Sequence, residues 1–141
     1  MPIEILLVED NPGDRRLIIE ALRDAQVSNH LTMASDGVEA LSMLTTPTHQ
    51  EARHFNLILL DLNLPRKNGL ELLVDIKADP RFKRIPVIVF TSSQAEADIL
   101  KAYDLHANCY VKKPVDFNRF MDVVKSIENF WLTVVTLPEG N

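Results

Sequence analysis

Short unbroken apolar runs alternate along this chain with stretches in which apolar residues recur three and four positions apart. The first pattern predicts strands buried on both faces, and the second predicts amphipathic helices. Ile3–Val8 is the first run. It stops at Glu9-Asp10, and Asn11-Pro12 then reads as a helix N-cap with proline at the first helical position. Leu17, Ile18, Ala21, Leu22 and Ala25 share one helical face, with Arg15, Arg16, Glu20 and Arg23 largely off it. Residues 30–34 give a weaker strand. Ser35-Asp36-Gly37, with Asp36 as the cap, opens a second helix through Val38, Ala40, Leu41 and Leu44.

The same alternation continues to the end. A polar loop over 45–54 leads to a buried strand at 56–60, ended by Asp61. A loop over 62–69 precedes a third helix marked by Leu70, Leu73 and Ile76. Residues 86–90 give a fourth strand with proline first, where a missing N–H is tolerated. A fourth helix is expected over 94–105 and a short fifth strand over 108–111. Phe117, Phe120, Val124 and Ile127 mark a fifth helix.

Five repeats of strand then helix predict an α/β domain: a doubly wound parallel sheet with right-handed crossovers and helices on both faces. In such sheets reactive groups gather beyond the C-terminal ends of the strands, at the switch in strand order. That rule selects Glu9 and Asp10 after the first strand, Asp61 after the third, Thr91 after the fourth and Lys113 after the fifth. Three carboxylates brought together repel one another, and a divalent cation relieves the repulsion. Hard oxygen donors suit Mg²⁺, with Mn²⁺ as second candidate, better than zinc. Carboxylates, a hard cation, a hydroxyl and an ammonium make a site for phosphoryl chemistry. Cation and lysine neutralise the oxygens, and one carboxylate can attack phosphorus.

Composition narrows the class. The 141 residues are the length of one domain, and 46% hydrophobic with 25% charged is ordinary for a globular protein. One cysteine excludes a disulfide framework and a Cys-based zinc site. His30, His49, His54 and His106 have no ligand spacing. Four glycines without a Gly-x-Gly leave no dinucleotide or flavin phosphate turn. No apolar run approaches the roughly 20 residues of a membrane span, and the N-terminus lacks signal-peptide features. A net charge of −5 disfavours a nucleic-acid partner. The expectation is a soluble cytoplasmic protein.

Glu9-Asp10, the run Asp61-Leu62-Asn63-Leu64-Pro65, Thr91-Ser92-Ser93 and Lys113-Pro114 each follow the appropriate strand. Together, and over residues 3–127, they resemble the receiver domain of two-component response regulators. The resemblance implies a flavodoxin-like (βα)5 fold with strand order 2-1-3-4-5. It also implies that Asp61 takes a phosphoryl group from a sensor histidine kinase. Asp10 would ligate Mg²⁺ directly, Glu9 largely through water, and Asn63 through its backbone carbonyl. Lys113 would pair with Asp61 and then with the phosphoryl oxygens. Thr91 would donate its hydroxyl to the phosphoryl group, and Tyr110 would turn inward with it as the aromatic switch. Residues 1–127 would be the receiver domain and 128–141 a C-terminal tail, too short for an output module. Signalling would then run through protein–protein contacts in a phosphorelay, and the protein would modify only itself rather than act as an enzyme. The alternative is an aspartyl-nucleophile phosphohydrolase. That class needs an acid two residues after its nucleophile, and Asn63 cannot serve as one.

Residues 129–137 carry no charge and are rich in β-branched and aromatic side chains, so they need cover from water. This tail and the long loop after the second helix are similar to small response regulators that partner phytochrome-type light-sensing kinases. That similarity implies such a kinase as partner, and a homodimer through the fifth helix and residues 129–137.

Overall fold

Every strand formed where the apolar runs predict one. The computed structural model describes residues 3–24, 28–45, 55–62, 64, 67–91, 109–112 and 117–130, with the backbone alone at 91, 109–112, 117, 123–124 and 127–130. In chain order the elements are β1 (Ile3–Val8), α1 (Pro12–Arg23), β2 (Asn29–Ala34), α2 (Gly37–Thr45), β3 (Leu57–Asp61), α3 (Gly69–Ala78), β4 (Val87–Thr91), β5 (Cys109–Lys112) and α4 (Phe117–Phe130). The helix expected over 94–105 lies outside the described residues, as do the loop at 46–54 and residues 131–141. α4 is therefore the fifth helix of the sequence pattern. It runs past Ile127 to Phe130, so the first residues of the expected tail form its last turn.

All strand pairs are parallel, and the sheet order is β2-β1-β3-β4-β5. The strands alternate between two apolar cores. Leu6, Val8, Ile58, Leu60, Val87 and Val89 pack with Ala40 and Leu44 of α2 and with Leu72, Leu73 and Ile76 of α3. Ile5, Leu7, Leu57, Leu59, Ile88 and Phe90 pack with Ile18, Ala21 and Leu22 of α1 and with Phe120 of α4. Period-two alternation with both faces apolar is what makes these strands read as unbroken hydrophobic runs.

At three strand ends a one-residue difference from the sequence pattern has a hydrogen-bonding reason. Asp61 belongs to β3: its Cα lies opposite Phe90, and the next N–H, of Leu62, still donates to the Phe90 carbonyl at 2.9 Å. Pro86 falls just before β4 because it has no N–H for the ladder, yet its carbonyl accepts from Ile58 N–H at 3.0 Å. Asn29 joins β2 opposite Ile3, and its side chain also donates to the Leu22 carbonyl at 3.0 Å, tying the end of α1 to the start of β2. Among the described residues, no helix is long and apolar enough to cross a membrane.

Candidate functional site

β1 is the strand at which the winding reverses: the chain passes from β1 to β2 on one side and returns to β3 on the other. Loops leaving β1 and β3 therefore diverge and open a crevice at their C-terminal ends. Val8 pairs with Leu60, so Glu9 and Asp61 stand on the next rung of adjacent strands. One carboxylate oxygen from each of Glu9, Asp10 and Asp61 falls in a group whose members all lie within 4.8 Å of one another. Glu9 is fully buried, Asp61 is 2% exposed, and Asp10 faces solvent.

Local chemistry fixes the acidic pair. Glu9 N–H donates to the Ala34 carbonyl at 3.0 Å, which holds the end of β1 to β2. Its side-chain Oε2 accepts from Asn11 N–H at 3.1 Å. Asn11 is the N-cap of α1, its Oδ1 accepting from Asp14 N–H at 2.9 Å, and Pro12 follows at the first helical position. The pair thus sits against a helix N-terminus, whose exposed N–H groups and dipole favour negative charge. Arg15, one turn further along α1, donates from Nε to the Glu9 carbonyl at 2.6 Å and from Nη2 to Ser35 Oγ at 2.8 Å.

The segment after Asp61 is held from two sides. Gly69 N–H donates to the Leu62 carbonyl at 3.0 Å, closing the loop onto its own start. Gly37 N–H donates to the Lys67 carbonyl at 3.1 Å, so the first turn of α2 touches the same loop. A Cβ at residue 37 would overlap that carbonyl, so only glycine allows the approach. Asn68 and Glu71 form a reciprocal capping box at the start of α3, with bonds of 2.9 and 3.0 Å. Lys67 Nζ lies 2.7 Å from Asp75 Oδ2, and this hydrogen-bonded carboxylate raises the ammonium above the ordinary lysine range. Asp36 caps α2 as the sequence pattern predicts, accepting from Glu39 N–H at 2.8 Å.

The donor set suits a hard divalent cation. All three groups offer oxygen, two from a buried wall and one from the solvent side, which leaves room for water ligands. A cation would also offset the cost of holding acidic side chains out of water. Thr91 is the last residue of β4 and pairs with Lys112, the last of β5; Tyr110 pairs with Val89. The side chains of Thr91 and Tyr110 lie outside the described residues, as do Asn63 and Lys113 altogether. The sequence pattern left Arg15 on a polar helix face and gave Gly37 and Ser35 no role beyond opening a helix. Their contacts join loops distant in sequence and carry no periodic signal.

Residues 5–125 match the family described as Response regulator receiver domain. Response regulator Rcp1 of Synechocystis sp. is 44% identical over 138 residues, 97% of this chain and 94% of the relative. Two solved structures align with TM-scores of 0.81, each over 94% of this chain and 96% of the other. One, 46% identical, is the phosphorylated cyanobacterial phytochrome response regulator RcpA; the second, 42% identical, is the Mn²⁺-bound form of Rcp1. The strand order, the acid-lined switch point and these likenesses agree: the chain is a response regulator and belongs to the receiver domain family.

Proposed function

We propose that Asp61 is the phosphoacceptor of a switch charged by a sensor histidine kinase. The observation that carries this reading is the convergence of Glu9, Asp10 and Asp61 at the β1/β3 switch point. An Asp61 carboxylate oxygen forms a bond to phosphorus as the phosphorus–nitrogen bond of the kinase phosphohistidine breaks, and the electron pair leaves with the imidazole. Asp10 and Asp61 would hold Mg²⁺, or Mn²⁺ in its place, with the Asn63 carbonyl, and Glu9 would act largely through water. When bound, the cation neutralises phosphoryl oxygens and so lowers the barrier to transfer. Lys113 pairs with Asp61 and then with the phosphoryl group. Thr91 donates its hydroxyl to that group, and Tyr110 follows Thr91 inward. The position of Thr91 and Lys112 at paired strand ends supports this assignment.

The protein on this reading is cytoplasmic, modifies only its own aspartate and signals by protein–protein contact. Receiver domains act as phosphoacceptor switches, and the phosphohydrolase alternative is not favoured, since the family match covers residues 5–125 and position 63 is Asn rather than an acid. The likeness to RcpA and Rcp1 supports a phytochrome-type kinase as the partner. The helix α4 and the uncharged segment 129–137 would form a homodimer interface, with residues 1–127 as the receiver unit and 128–141 as the interface tail. Removing residues 129–141 should lower the mass found by light scattering; an unchanged mass excludes that interface.

Incubation with a small-molecule phosphodonor and Mg²⁺, followed by intact-mass measurement, tests the function. One base-labile phosphoryl group should appear in the wild type and none in Asp61→Asn. Repeated turnover to free phosphate with no stable adduct would favour the hydrolase.

A further inference from the structure

We propose that Arg15 is a positioning residue for the acidic cluster. It clamps the turn that carries Glu9 and Asp10 to the turn between β2 and α2, and through that turn to the loop that follows Asp61. The inference rests on the cation-binding reading above.

The clamp can be followed bond by bond. Arg15 is half-buried, and its guanidinium spans two acceptors on different segments: the Glu9 carbonyl at 2.6 Å and Ser35 Oγ at 2.8 Å. Ser35 is in turn fixed by its own N–H, which donates to Glu39 Oε1 at 2.7 Å, and Glu39 N–H returns to Asp36 Oδ1 at 2.8 Å. One residue later, Gly37 N–H reaches the Lys67 carbonyl at 3.1 Å. Residues 35–37 supply no carboxylate to the cluster, yet Gly37 reaches the loop that follows Asp61 and Ser35 meets Arg15. Arg15 is the side chain that joins this bracket to the end of β1.

The arrangement is informative because its charge runs against the site. A guanidinium bonded to the Glu9 carbonyl adds positive charge behind the acidic cluster, which weakens the hold on a cation by Coulomb repulsion. A neutral donor would avoid that cost but could not fill two acceptors with a rigid planar fork. The geometry therefore assigns Arg15 to holding the backbone of Glu9 and Asp10, as partners behind metal ligands commonly do. Positioning and charge predict opposite signs when Arg15 is neutralised.

Mn²⁺ titration by isothermal calorimetry decides between them, with the melting temperature of each metal-free variant recorded alongside. Arg15→Gln should weaken Mn²⁺ binding about tenfold, the low end for an outer-shell partner, although it removes a repulsive charge. Arg15→Lys keeps the charge but replaces the rigid planar fork with one ammonium on a flexible stem, so it should also bind Mn²⁺ more weakly than the wild type. Ser35→Ala, at an exposed site, should weaken binding about threefold, as for loss of one modest hydrogen bond. Combining it with Arg15→Gln should add nothing, because both act through one clamp. Equal or tighter Mn²⁺ binding by Arg15→Gln overturns the proposal. If that variant does not fold, an unchanged affinity in both Arg15→Lys and Ser35→Ala overturns it instead. Failure of the wild type to bind Mn²⁺ would remove the cation reading itself, and this inference with it.

Discussion

Gly69 lies against the backbone of Asp61, eight residues earlier, so closely that a Cβ there would overlap the Asp61 carbonyl oxygen and crowd the Leu62 Cα. The loop that follows the phosphoacceptor candidate is thus closed by a residue without a side chain. Gly69→Ala must push one backbone away from the other. It should destabilise the fold by about 1–3 kcal/mol, the usual cost of overpacking, and should slow phosphorylation by displacing Asp61. Urea unfolding and the rate of adduct formation check the two effects.

Phe120 joins α4 to the sheet. It is 1% exposed, and its ring meets Phe90 at 5.5 Å between centroids with an interplanar angle of 54°. Phe120→Ala should cost about 3–5 kcal/mol, because a large buried ring is lost and the space can only partly collapse. Chemical denaturation of the two proteins gives the difference directly.

Asp10 separates cation binding from stability. It is the exposed member of the acidic cluster. Asp10→Asn should leave unfolding stability within about 0.5 kcal/mol, as for most surface changes. Its Mg²⁺ or Mn²⁺ affinity should nevertheless fall by tenfold or more, on the order of one carboxylate ligand lost. Calorimetric titration measures the affinity, and an affinity equal to the wild type would remove Asp10 from the ligand set.

Much of this molecule was legible because burial on both faces of a parallel sheet leaves a simple trace. Runs such as Leu57–Leu60 announce a strand, and an acid at its end, Asp61, has no packing reason to be there. The doubly wound order then brings Glu9, Asp10 and Asp61 to one place before any coordinate is known. Contacts between loops were not legible. Arg15 reads as one more charge on a polar helix face, and nothing in its spacing says that α1 returns it over the end of β1 to the Glu9 carbonyl. The Gly37–Lys67 bond likewise joins residues thirty positions apart with no repeating pattern. The one-residue shift at Asp61 has a similar origin: hydrophobicity ends at Leu60, but the backbone ladder does not.

Acid stability should depend on Asp79. Arg81 donates to its carboxylate from Nη2 at 2.8 Å, from Nε at 3.1 Å and from its backbone N–H at 2.8 Å. These bonds hold the Asp79 carboxyl below its ordinary 3.8. The folded state therefore binds this proton less readily than the unfolded chain. Its contribution is complete above the ordinary carboxylate range and is lost as pH falls through the lower folded value. The stability gap between wild type and Asp79→Asn should be constant above about pH 5 and should narrow at lower pH. Urea midpoints across an acid series report it, and a gap that widens on acidification would contradict the assignment.

The central claim is that one particular aspartate carries the phosphoryl group. Borohydride reduction of the phosphodonor-treated protein converts an aspartyl phosphate to homoserine, and peptide sequencing by mass spectrometry then locates it. The account predicts homoserine at position 61 alone, dependent on Mg²⁺ and absent from untreated protein. Homoserine at position 10 or elsewhere, with Asp61 intact, would contradict it.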